Sequence, residues 1–155
     1  MLRVSKLTDY GTVVLAHMAR KPADMFAASD VAAATYLAVP TVSKLLKCFT
    51  RAGLVTSQRG ARGGYSLARA PERITAVEII DAVEGRVAIT QCSLGHDRCN
   101  LEAVCGVGHN WQRISMAIRE ALRTVTLAQL ARPTAAVPLR MDFGALLTHT
   151  RHSRI

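Results

Sequence analysis

From Ser29 to Ala68 the chain reads SDVAAATYLAVPTVSKLLKCFTRAGLVTSQRGARGGYSLA. Ser29 is a good N-cap, and the alanines that follow make a short helix. Tyr36-Leu37-Ala38-Val39 is a tight connection. Pro40 suits the first position of a second helix, where its missing N–H would be unsatisfied in any case. That helix predicts an apolar stripe of Val42, Leu45, Leu46 and Phe49, with Gly53 as its C-terminal stop. Two short helices around a tight turn, the second polar on one side, make a helix-turn-helix. Leu54–Arg59 and Tyr65–Ala68 have strand character, and the loop Gly60-Ala61-Arg62-Gly63-Gly64 between them is rich in turn residues. A hairpin placed directly after a recognition helix is the wing of a winged helix.

Outward from this stretch, Leu7, Tyr10, Val14, Leu15 and Met18 recur at helical spacing, which predicts a helix over Lys6–Arg20. On the other side, Thr75 and Glu78 form a capping box, and Ile74 and Ile79 stand where a hydrophobic staple needs them. Val77, Ile80, Ala82 and Val83 fill that helix and Gly85 ends it. Gln91–His109 has weak periodicity and reads as a loop, with a short helix near 101–104. A long helix then starts near Asn110. Its stripe of Trp111, Ile114, Ile118, Ala121, Leu122 and Val125 is broad enough to pack on another helix, in this chain or in a partner. Thr126–Leu130 adds a last turn, and the tail from Pro133 is mixed and basic.

The chain has 155 residues, half of them hydrophobic and only seven aromatic, which excludes disorder and favours helix-on-helix packing. No run of about 18 uncharged apolar residues exists, so no membrane span is expected. The first residues lack the uninterrupted apolar core of a signal peptide, so the expected location is the cytoplasm, where thiols persist. The charge of +9 is uneven. Residues 1–70 hold ten Lys/Arg against three Asp/Glu, residues 71–132 seven of each, and residues 133–155 three against one. A basic excess in one half points to an acidic polymer bound there.

Two groups of residues carry chemistry. Thr41, Ser43, Lys44 and Lys47 lie off the apolar stripe near the start of the recognition helix, where such helices reach base edges in the major groove. Arg59 and Arg62 sit on the glycine-rich wing loop, placed for phosphates and a minor groove. The plainer reading is a solvated polar face and an ordinary hairpin turn. The second group is Cys92, Cys99 and Cys105, separated by six and five residues. Thiolates are soft ligands that suit iron–sulfur clusters or zinc. The close cysteine pairs of structural zinc sites are absent, and wide, loop-like spacing fits a cluster. Three unrelated redox or buried cysteines are the alternative. Cys48, beside Phe49, reads as a small core residue.

The order of these parts resembles the IscR/NsrR-type winged-helix regulators, and most of all the branch that regulates SUF iron–sulfur assembly. The resemblance rests on Leu7-Thr8-Asp9-Tyr10-Gly11, the wing from Arg59 to Leu67, Ile79–Gly85, the three cysteines and the Trp-led long helix, over roughly residues 1–131. It implies a homodimer with crossing long helices, bound to double-stranded DNA. It also implies a [2Fe–2S] or [4Fe–4S] cluster on Cys92, Cys99 and Cys105 with one further ligand. IscR-like members take a histidine shortly after the third cysteine. His109 follows Cys105 by four positions, one further than that pattern. The first cysteine spacing is also one residue longer than in IscR and NsrR. NsrR-like members take an acidic residue from the partner's first helix, and Asp9 matches that position. Asp9 is preferred, then His109; His96 is weaker, and His17 reads as a packed or solvated helix histidine.

The expected fold is therefore mostly α: a winged helix-turn-helix with a two-stranded wing and a long C-terminal dimerisation helix. Residues 1–70 form the DNA-binding region, 71–132 the cluster loop and dimerisation helix, and 133–155 a basic, poorly ordered tail. The expected function is a repressor that senses cluster status or redox stress and controls iron–sulfur assembly genes. Two alternatives stay open. One is a winged-helix regulator using thiol oxidation or zinc, and the other an iron–sulfur carrier docking acidic partners. No nucleophile–base pair and no phosphate-binding loop is present, so an enzyme is not expected.

Overall fold

The apolar residues of the recognition helix set the centre of the molecule. In a computed structural model that describes residues 4–60, 63–90, 93 and 105–132, Val42, Leu45, Leu46 and Phe49 have no solvent exposure. They belong to α3 (Val39–Arg51), which follows α1 (Lys6–Ala19) and α2 (Ala28–Thr35). Pro40 falls in the first turn of α3, and Ala52 caps its C-terminal end, with Gly53 beyond it at a φ of 71°. α2 differs from expectation at its start. Its N-cap is Ala27, so Ser29 lies inside the first turn, where its hydroxyl meets Asp30 Oδ1 at 3.3 Å. Phe26 decides this start, because its backbone is held by the wing before the helix begins.

β1 (Val55–Gln58) and β2 (Gly64–Leu67) pair antiparallel, with Val55 opposite Leu67 and Gln58 opposite Gly64. Val55 and Leu67 point into the core, while the Thr56 and Ser66 hydroxyls meet at 2.9 Å on the exposed face. Phe26 adds an antiparallel bridge to β2, since the Phe26 and Tyr65 backbones exchange hydrogen bonds of 2.8 and 2.9 Å. Gly64 permits this contact, because a Cβ there would lie 2.7 Å from the Phe26 carbonyl oxygen. The wing base is thus stitched to the segment that opens the helix-turn-helix.

α1 is the hub, packed against α2, α3, β2 and the two elements α4 (Ala76–Glu84) and α6 (Leu127–Leu130). Gly11 brings α1 and α3 close, since a Cβ there would stand 2.8 Å from the Phe49 ring. Ile74, Ile79 and Leu127 join Val14, Leu15, Met18, Val31 and the α3 stripe in one core cluster. The capping box forms, with Glu78 Oε2 accepting from the Thr75 N–H at 2.9 Å. Thr126 and Gln129 form a second box at the start of α6. Hydrogen bonds from Leu127 N to Ile74 O (2.7 Å) and from Ala76 N to Val125 O (2.8 Å) clip α6 beside α4.

α5 (Gly108–Arg123) is the long helix, and it begins two residues earlier than the pattern suggested. Only Gly108 and Ser115 on it are buried. Arg119 ties it to α4, with Nη2 2.7 Å from Asp81 Oδ2 and Nη1 2.9 Å from Oδ1. The expected short helix near 101–104 and the tail 133–155 lie outside the described residues.

Candidate functional site

On α3 the residues opposite the core stripe are Pro40, Lys44, Lys47 and Arg51, at spacings of four, three and four, and all four are exposed. Lys44 and Lys47 therefore stand where the sequence placed them. Thr41 and Ser43 are half-buried on the two flanks of this ridge. Arg51 extends the ridge by one turn. The same helical periodicity that selected Lys44 and Lys47 points to it, and only the habit of looking near the helix N-terminus passes it over.

The wing begins one strand after α3. Arg59 is exposed just past β1, and the loop closes through Gly63 N to Gly60 O at 2.9 Å. Arg62 lies outside the described residues. The recognition helix is held from below by Phe49 and Leu45 and the wing from the side by Phe26. The cations are thus mounted on a rigid support, which lowers the entropy cost of a docking contact.

The cysteine group is only partly in view. Cys105 is a free, half-buried thiol three residues ahead of α5, while Cys92, Cys99 and His96 lie outside the described residues. His109 is exposed in the first turn of α5, and Asp9 is exposed on α1. Among the described residues no three His, Cys, Asp or Glu side chains converge on one point. A half-buried thiol just ahead of a helix is chemically suited to an iron–sulfur cluster. Cys48 is half-buried on α3 and not the core residue expected, because the helix turns it to the flank of the stripe. His17 rests edge-on against Phe26 at 5.7 Å, and burial lowers its pKa, with Arg20 and Lys21 adding to the effect.

Two polar ties were not legible in the sequence. Asp81 accepts from Arg119 and from the Val87 N–H at 2.9 Å. Burial works against its charge, but these bonds, with the positive charges of Arg119 and Arg86, outweigh it and hold its pKa below the ordinary carboxylate value. Glu84 accepts from Thr8 Oγ1 (2.5 Å) and Ser5 N (2.8 Å), which fastens the end of α4 to the start of α1; these bonds lower its pKa. Partners 76 to 79 residues apart leave no local signal. Together the ties link α5 to α4 and α4 to the helix that carries Asp9.

α5 leaves apolar surface open, with Trp111 41% and Ile114 45% exposed. Ile118, Ala121 and Leu122 are half-buried. Exposed apolar residues in line on one helix face suit an interaction surface. Among the described residues no helix is long and apolar enough to cross a membrane.

A helix-turn-helix with a basic outer ridge, a two-stranded wing and an uncovered long helix defines a winged-helix DNA-binding protein. Residues 4–133 match the family described as "Rrf2: Iron-dependent Transcriptional regulator". The chain belongs to this Rrf2 family of transcriptional regulators, whose members bind DNA and act as dimers and are not enzymes. It is 30% identical over 138 residues to "Protein rrf2" of Nitratidesulfovibrio vulgaris, spanning 88% of this chain and 92% of that one. Among solved structures it is similar to CymR (YrzC), the global cysteine regulator of B. subtilis. There the TM-score is 0.64 and the identity 31%, over 84% of this chain and 97% of that one. It is also similar to T. potens IscR, with a TM-score of 0.61 and 28% identity over 83% and 85% of the two chains.

Proposed function

We propose that this chain is a cytoplasmic repressor that reads double-stranded operator DNA and senses iron–sulfur cluster status or redox stress, with iron–sulfur assembly genes, those of the SUF system foremost, as its targets. The observation that carries the DNA reading is the exposed ridge of Lys44, Lys47 and Arg51 on α3, followed at once by the wing. Residues 1–70 do the reading. Lys44, Lys47, Thr41 and Ser43 meet base edges, and Arg59 and Arg62 hold phosphates and the minor groove. Residues 71–132 supply the sensor and the dimer face, in which the open stripe of α5 packs on its copy. Residues 133–155 form a basic tail.

Cys92, Cys99 and Cys105 would hold a [2Fe–2S] or [4Fe–4S] cluster, with Asp9 of the partner or His109 as fourth ligand. The cluster would supply a centre that oxidants or iron shortage remove. The chain's own part is to pass that change on. α5 is bound to α4 by Arg119–Asp81, and α4 to the start of α1 by Glu84. A ligand at Asp9 would join the sensor loop of one subunit to the reading head of the other, a differential contact between two states.

The test is anaerobic reconstitution with visible spectra and iron and sulfide counts, then DNA selection by loaded and metal-free protein. Ala at Cys92, Cys99 or Cys105 abolishes the visible absorption, and Cys48→Ala keeps it. Asp9→Ala alters both the spectrum and the effect of the cluster on DNA affinity, while His109→Ala alters neither; the reverse result moves the ligand to His109. Arg62→Ala lowers the salt slope of DNA binding by about one unit. The likeness to CymR favours a second reading, in which the thiols respond to oxidation or hold zinc. A colourless protein that still binds its operator after reconstitution selects that reading.

A further inference from the structure

The tip of the recognition helix lacks charge altogether. From Val31 to Ser43 there is no Lys, Arg, Asp or Glu. Tyr36, which ends α2, has a φ of 57° and is 96% exposed. A residue with a Cβ holds that conformation at a cost, and here the ring contributes nothing to the core. Ala38 and Pro40 are exposed, and Val39, the first residue of α3, is 47% exposed. Apolar side chains therefore crowd the end of α3 that enters a groove, and the cations start one turn later, at Lys44.

The ridge decides what meets this apolar lip. Pro40 opens the same line that continues through Lys44, Lys47 and Arg51, so any polyanion neutralising those three lies against the lip as well. Within a DNA major groove only thymine offers an apolar group, its 5-methyl; the other bases present donors and acceptors. Proline has no N–H to give them, and Val39 and Ala38 have no side-chain donor.

We infer that Val39 and Pro40, with Tyr36 at their edge, read the 5-methyl group of thymine, so that the helix tip specifies each half-site by an apolar contact and leaves hydrogen-bond readout to the residues behind it. This rests on the DNA-binding reading above and adds the residues and the base that set specificity.

The experiment uses full-length dimer and a duplex enriched by it from a randomised library, resynthesised with deoxyuridine for thymidine at one position at a time. Uracil keeps every hydrogen-bonding group and lacks only the methyl. At one thymine per half-site the substitution weakens binding about fourfold, the worth of burying one methyl-sized group. With Val39→Ser the protein binds the thymine duplex more weakly than the wild type does, and the uracil penalty at that position falls below the wild-type value of about fourfold. Circular dichroism confirms that the variant is folded; Val39 is not a core residue, so its helix content matches the wild type. Wild-type affinity unchanged at every uracil position overturns the inference and leaves the regulator reading standing. A uracil penalty that persists undiminished in Val39→Ser also overturns it. A protein that enriches no duplex at all overturns both.

Discussion

Two helices of this chain carry similar apolar stripes and end in opposite situations. The stripe of α3, from Val42 to Phe49, is wholly covered by α1, α2, α4 and the wing base. The stripe of α5, from Trp111 to Leu122, is at best half covered and touches the rest through α4. Amphipathic periodicity thus says that a face will be buried and leaves open which chain buries it. α3 finishes its core inside one chain, which keeps the reading head rigid. α5 leaves its face open within one chain, and under the proposed reading a second copy covers it.

The comparison breaks first at Phe49. Phe49→Ala removes a ring with no exposure at the α1–α3 crossing and is expected to cost about 3–5 kcal/mol. Urea melts of wild type and variant at equal protein concentration measure it, and a loss below about 1 kcal/mol would mean that the crossing collapses to fill the gap. Next is Ile118→Glu, which sets a carboxylate in the open stripe. Light scattering should find monomers, and the far-ultraviolet spectrum should stay helical, because Ile118 is outside the core cluster. A dimeric Ile118→Glu protein would place the interface on another face.

A smaller effect sharpens how α5 is attached. Asp81→Asn breaks a partly buried pair and is expected to cost about 1–3 kcal/mol near neutral pH. Asp81 binds its proton less tightly when folded than when unfolded, so its contribution is complete above the unfolded value near 4 and disappears as pH falls through the lower folded value. Wild type and Asp81→Asn should therefore converge in stability on acidification from about pH 5 downward. A constant gap would show that the carboxylate is not the group being titrated.

The smallest effect concerns the turn between α2 and α3. Tyr36→Gly relieves a left-handed residue, while glycine also loosens the unfolded chain. The two oppose each other, and the expected melting temperature is equal to the wild type or slightly higher. A clear drop would give the ring a structural role that its exposure denies.

The sequence by itself carried the helix-turn-helix, the wing and the capping box at Thr75 and Glu78, because each is written in short local spacings, and it carried the family through the order of those parts along the chain. It also placed Lys44 and Lys47, since a polar face is the complement of an apolar one. It misplaced the N-cap of α2, because Phe26 is fixed by pairing with Tyr65, a partner 39 positions away that local propensity does not see. It had no means of finding Asp81–Arg119 or Glu84 with Ser5 and Thr8, which exist only once α4 lies across α1 and α5. Periodicity gave α3 and α5 alike a face to bury, and the family resemblance already set the long helix aside for a dimer. The tertiary structure decided how far each face is covered within one chain, because coverage is a property of what packs opposite a face, and α5 lies outside the shell that α1 gathers around Phe49.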